Sequence, residues 1–274
     1  MGWFENVLHG LHHLPNFWIW VVIAGLNLSL FLLLPLLVRR FYNVELNADV
    51  VKGADDAFKT LVALTMALSA FALVQVEGIH RNVSDLAARE GAILLKFDRS
   101  LADFSVDDAT AVREGLRGYL SSLVKSEWPG LATGERSAET SARLADLSAR
   151  VEHLNVTEPK QLVSLGEAKG QLAQIKDVRE ARLASSHMNL SPYFWFGILA
   201  ALGILAVLGW FQAPVEKMVP YLGGLMLGLS TLLSIVVISS GVFEGESRVT
   251  AEPIERTLAL IPPAAAPAAP AAAH

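Results

Sequence analysis

The chain has 274 residues, 53% of them hydrophobic and 18% charged, with a net charge of −5, a pI near 5.8 and a mean hydropathy of +0.42. That balance gives no basic footprint for nucleic acid, and the lack of cysteine excludes disulfides, thiolate metal sites and cysteine nucleophiles. The charges lie almost wholly outside four apolar stretches, residues 17–38, 58–79, 192–212 and 220–243. Each approaches the ~20 residues that carry a helix across ~30 Å of hydrocarbon.

Met1–Asn16 holds no Lys or Arg, so a cleaved signal peptide is not expected. The spacing instead predicts an interfacial amphipathic helix, with Trp3, Phe4, Val7, Leu8, Leu11 and Leu14 on its apolar side. Glu5, His9, His12 and His13 share the other side. Imidazole and carboxylate suit several divalent ions, but a solvated helix face explains the same residues, and no metal site is assigned there.

The first membrane helix, 17–38, has Phe17, Trp18 and Trp20 at one end and Arg39–Arg40 beyond the other, the pattern of an aromatic belt facing a basic flank. Asn27 and Ser29 sit mid-span, where they can bond across helices or line a path. Pro35 is expected to kink the exit.

The second, 58–79, carries Thr65, Ser69, Ala72 and Val76 at i, i+4, i+7 and i+11, one narrow and mildly polar face. Ala63, Ala67 and Ala70 form a second small face beside it, and Gln75 and Glu77 mark the end of the span. Two readings stand for the polar face: close packing through small residues, or a wettable pore lining with Gln75 and Glu77 at its mouth.

Residues 80–190 read as helical throughout. Leu86, Ile93, Leu94, Phe97 and Leu101 recur at helical spacing near 84–104. Ser105 with Asp108 caps the next helix, WPGLATG at 128–134 breaks it, and further helices are expected near 138–154 and 159–186. With no phosphate loop, Ser–His–Asp set or strand alternation, an enzyme is not expected.

Ser191–Pro192 opens the third membrane helix, behind which Gly197 and Ala201 make a small-xxx-small contact. Gly224 and Gly228 in the fourth have GxxxG spacing, followed by Ser230, Thr231 and Ser234, again a packing signature. Lys and Arg in the short loops (Arg39, Arg40, Lys52, Lys59, Lys217) favour a cytoplasmic first loop, against a long central segment that counts weakly. The tail PPAAAPAAPAAAH is low-complexity.

The fold expected is therefore all-α: an integral membrane protein of four transmembrane helices in two hairpins, with a helical extramembrane domain between helices two and three. Its divisions are an interfacial helix at 1–16, hairpin one at 17–79, the helical domain at 80–190, hairpin two at 191–243, a C-terminal segment at 244–261 and a disordered Ala/Pro tail at 262–274.

From the second helix onward the chain resembles the bestrophin-like family of bacterial membrane proteins. The resemblance rests on GIHRNVSDLAAREGAILLKFDRSL, LRGYLSSLVKSEWPGLATG and GVFEGESRVTAEPIERTL, three blocks in order over roughly 55–262. That family is similar in layout to bestrophins, pentameric anion channels with two membrane hairpins and a helical cytosolic region between them. The resemblance implies a homo-oligomer, pentameric as in bestrophins, in the inner membrane with residues 80–190 in the cytoplasm. It implies an anion as the permeant species and a pore lined by the second helix at Thr65, Ser69, Phe71, Ala72 and Val76; no cofactor is expected. The calcium-binding acidic run of the animal proteins has no counterpart after helix four, where Glu244 and Glu246 stand isolated, so no calcium gate is expected. The alternative is a non-conducting membrane scaffold or sensor whose helical domain binds a partner protein.

Overall fold

A computed structural model describes residues 2–33, 48–186, 188, 190–211 and 219–261, with helices and no strand among them. Arg39, Arg40, Pro35, Lys217 and the Ala/Pro tail lie outside the described residues, as do the side chains of Trp3, Phe4 and Glu5. The helices in chain order are α1 (Gly2–His12), α2 (Asn16–Leu28, continued by a π-helical turn, Ser29–Leu33), α3 (Ala48–Ser100), α4 (Val106–Ser122), α5 (Ala138–Glu152), α6 (Pro159–Ser186), α7 (Pro192–Phe211), α8 (Val219–Ser240) and α9 (Glu252–Leu260).

The chain divides into two compact units, Met1–His80 with Asn189–Arg248, and Arg81–Met188 with Val249–His274. Among the described residues, three helices hold apolar windows long enough to cross a membrane: those beginning at Asp49, Pro192 and Leu222. The apolar helix over Asn16–Phe31 is shorter. The expected end of that first span at residue 38 falls outside the described residues.

The helix expected near 84–104 can extend the span ending at 79 into the aqueous phase, and α3 does run unbroken for 53 residues, about 80 Å at 1.5 Å per residue. Hydropathy drops there, but Arg81, Asn82, Val83 and Ser84 include no Pro or Gly, and nothing local stops the hydrogen-bond ladder. Other boundaries follow the sequence signals closely. Ser105 accepts the Asp108 amide at 3.1 Å and caps α4, and Pro159 and Pro192 open α6 and α7. The 128–134 break becomes one helical turn followed by a 3-10 turn that ends on Gly134, whose φ of 70° suits a residue without Cβ.

In the first unit the core is formed by Phe31, Phe58, Val62, Ala72, Val76, Ile198, Leu205, Met226, Leu229 and Val236. Polar pairs fix α2 against α8. The buried Asn27 donates from Nδ2 to Ser230 Oγ at 2.8 Å, and Trp20 donates to Thr231 Oγ1 at 3.0 Å. Asn27 is thus a bond across helices, while Ser29 is exposed. Gly197 lets α7 approach α3 closely, since a Cβ there would sit 3.1 Å from Leu68. Gly224 meets nothing of the chain within 4 Å of that position, so the GxxxG pair is not used for close approach within one copy.

In the second unit, an apolar core running from Ile93 to Ile261 surrounds a fully desolvated charge network. Arg182 donates from Nε to Glu90 and from Nη2 to Glu127, both at 2.9 Å. Arg179 grips the same Glu127 carboxylate through Nε and Nη2 and reaches Ser141 Oγ at 3.0 Å. Tyr119 donates to Glu90 at 3.0 Å, and Arg182 stacks 5.1 Å from the Trp128 ring centroid. Burial and then the Glu90 charge push the Tyr119 hydroxyl well above its ordinary range. Burial works against charge on Arg182, yet the two carboxylates, Glu90 first, raise it on balance. Two cations and two anions close the network at zero net charge, the condition under which buried ions are tolerable.

Candidate functional site: the free face of the long helix

Successive residues on a helix are turned by ~100°. Thr65, Ser69, Ala72 and Val76 therefore fall within about 60° of arc, and Ala67 and Phe71 lie about 130–170° further round. The structure separates the two groups. Thr65, Ser69, Ala72 and Val76 are all at most 1% exposed, held within the first unit together with Phe58 and Val62. Thr65 Oγ1 donates back to Leu61 O at 2.7 Å and Ser69 Oγ to Thr65 O at 2.8 Å. Their hydroxyls are spent on the helix's own carbonyls, a common fate in apolar surroundings. Within one copy of the chain these four are therefore packing residues.

The opposite arc is open. Leu64, Phe71 and Val74 are 60%, 69% and 70% exposed, and between them lie the exposed Ala63, Ala67, Ala70, Gln75 and Gly78. Of the residues singled out in sequence, Ala63, Ala67, Ala70, Phe71, Gln75 and Glu77 are on exposed positions. The sequence showed Ala63, Ala67 and Ala70 as a second small face but missed Leu64 and Val74. The column of small residues every three to four positions was the available signal.

The exposed face of α7 differs in kind. There Tyr193, Phe196, Leu199, Ile204 and Val207 are all more than half exposed. Large flexible and aromatic side chains suit lipid, whereas small residues suit close approach by another helix or by a narrow lumen. Residues 60–76 carry no charged side chain, so any path along this face is apolar at its centre.

At the end of this segment, His80 Nε2 bonds Ser239 O at 2.7 Å, tying α3 to the last turn of α8. Among the described residues, no group of three or more His, Asp or Glu is placed to hold a metal ion.

A family model described as a Bestrophin-like domain matches residues 21–254. Two solved structures share the fold: a bacterial bestrophin homologue from Klebsiella pneumoniae with a tryptophan-to-alanine mutation, and a membrane protein with a proline-to-alanine mutation. Both align with a TM-score of 0.54 at 11% identity and over 87% of this chain; 95% of the first and 97% of the second are covered. No match was found among curated proteins.

Proposed function

The chain belongs to the Bestrophin-like family, and from that premise we propose that it is a homo-oligomeric membrane ion channel whose pore is lined by α3. The observation that carries this reading is the contrast between two exposed faces of the first unit. The α3 face sets the small residues Ala63, Ala67, Ala70 and Gly78 and the polar Gln75 among Leu64, Phe71 and Val74. The α7 face is large throughout, with the aromatic Tyr193 and Phe196 beside Leu199, Ile204 and Val207. Membrane helices put small residues where protein or water meets them and bulky ones where lipid does.

The lining on this reading is Ala63, Leu64, Ala67, Ala70, Phe71, Val74 and Gln75. Phe71, the one aromatic side chain on that arc, forms the narrowest ring, and Gln75 and Glu77 stand toward the mouth. Thr65, Ser69, Ala72 and Val76 are the backing that holds the face in place. An apolar ring of this sort gates by excluding water until it widens. Anions are the expected permeant: the central segment has no carboxylate, and the edge of the Phe71 ring presents positive partial charge. Similarity of layout to bestrophins supports the same choice. The cytoplasmic placement of 81–188 follows from that similarity and not from the loop charges.

The test is reconstitution of the purified chain in a planar bilayer under a chloride gradient. The expected result is an anion-selective current that Phe71→Ala increases and Ala67→Trp blocks. A native mass corresponding to a monomer, or a bilayer that stays silent with correctly folded protein, refutes the channel. Currents insensitive to both substitutions refute the lining.

A further inference from the structure

His12 is the most confined histidine among the described residues, and both of its ring nitrogens face oxygen acceptors. Its Nε2 lies 2.8 Å from Val237 O, at the end of α8. A backbone carbonyl has no proton to give, so Nε2 must carry one. Its Nδ1 lies 3.2 Å from Glu244 Oε2. A neutral ring already protonated at Nε2 turns a lone pair toward that carboxylate, and two acceptors repel. The geometry is satisfied only when one further proton sits between His12 and Glu244. Either the ring is an imidazolium, or the acid is protonated and donates to Nδ1.

The other groups there do not supply that proton elsewhere. His9 Nδ1 takes the second oxygen, Glu244 Oε1, at 2.8 Å, and a neutral ring can donate that bond. His13 stands edge-on to His9 at 4.9 Å between centroids. Glu246 is occupied by the Asn16 amide at 3.3 Å, and Asn16 Nδ2 reaches Ser247 Oγ. Ser240 Oγ donates to Val237 O and lies 3.4 Å from His12 Nε2. The pocket is shaped for the ring. A Cβ at Gly241 would come within 3.0 Å of His12 Cε1 and Nδ1, and Gly245, at φ 71°, makes the turn that returns the chain after Glu244.

From this we infer that α1 is held to the segment following α8 by a proton-operated latch, His12–Glu244, which releases the N-terminal helix as pH rises. The inference does not depend on conduction. An imidazole in water gives up its second proton near pH ~6.5. The docked contact needs that extra proton and the separated side chains do not, so docking is expected to weaken as pH rises. The segment after the last membrane helix, which lacks an acidic calcium run, thus carries a sensor for a different cation.

The chain has no cysteine, so spin labels can be placed at Gly10→Cys, where a Cβ meets nothing within 4 Å, and at the exposed Arg248→Cys. Distances between them are measured in the full chain in lipid nanodiscs from pH 5.5 to 8.5. The expected result is one short distance at pH 5.5 that gives way to a broad, longer distribution by pH 8.5. Glu244→Gln can accept from His9 and donate to a neutral His12, so its profile should be flat. His12→Gln keeps a donor for Val237 O without a titrating proton and should be flat as well. A wild-type distance that does not change over this range overturns the latch. So does either variant keeping the wild-type slope. A flat variant profile, docked or released, assigns the slope to this pair.

Discussion

Substituting Glu127 tests whether charge balance holds the second unit together. Glu127 is fully buried and accepts from Arg179 Nε at 3.1 and 3.2 Å, from Arg179 Nη2, and from Arg182 Nη2 at 2.9 Å. Glu127→Gln preserves shape but leaves two buried guanidinium groups facing the single carboxylate of Glu90. Breaking a buried pair from one side costs ~3–5 kcal/mol, because the orphaned charge cannot reach water. At ~4–8 °C per kcal/mol for a domain of about 100 residues, the second unit should melt more than about 10 °C earlier. Thermal unfolding of the full chain in detergent, followed by circular dichroism, measures this. The double variant Glu127→Gln with Arg179→Met restores neutrality and should recover more than half of the loss, a coupling far from additive. A single-variant shift below about 4 °C, or a double variant that is simply the sum of its parts, would refute the reasoning.

Two further outcomes follow from contacts described above. Asn27→Leu removes the bond to Ser230 and should destabilise the first unit by about 0.6 kcal/mol, at most ~1.7. Ser230 keeps its bond to Met226 O, so a loss well beyond that range in a lipid-based unfolding assay would mean the pair does more than join two helices. The Glu180 carboxyl is held below its ordinary range, first by hydrogen bonds from Arg136 at 2.8 and 2.5 Å. A depressed carboxylate contributes stability above its unfolded pKa of ~4.3 and loses it as pH falls through the folded value. Both side chains are half-exposed, so the effect is under ~1 kcal/mol. Amide exchange at the start of α5 should accelerate below pH ~4 in the natural chain, and Glu180→Gln should abolish that acid dependence.

Sequence reading reached the elements because their signals are local. The Ser105 cap, the WPG break and the proline starts at 159 and 192 act within one turn of the backbone. The extension of α3 beyond residue 79 was legible for the same reason, since a fall in hydropathy is not a fall in helical propensity, and only the latter ends a helix. The burial of the two faces of α3 was not legible. Hydroxyls at Thr65 and Ser69 suggest a wettable face, but within hydrocarbon a hydroxyl bonds its own carbonyl as readily as a solvent. Which of two small faces points inward is a property of the neighbouring helices, and α3 does not encode it alone. The charge network was beyond reach for another reason. Glu90, Glu127 and Arg182 are dozens of residues apart, and each alone looks like a solvated surface charge. His12 and Glu244, 232 residues apart, were indistinguishable from interfacial polar residues.

The polar pins between α2 and α8 have a consequence for the bilayer. Asn27 with Ser230 and Trp20 with Thr231 join two turns of α2 to adjacent residues of α8, so neither helix slides along the other without breaking both. Helices free to slip can shorten or lengthen their shared hydrophobic span. These two cannot, and a membrane of different thickness must be met by tilting the pair or by deforming the lipid. With both helices in the bilayer, the pair is expected to prefer one hydrocarbon thickness, and lipid chain length becomes a variable to which the stability of the first unit should respond.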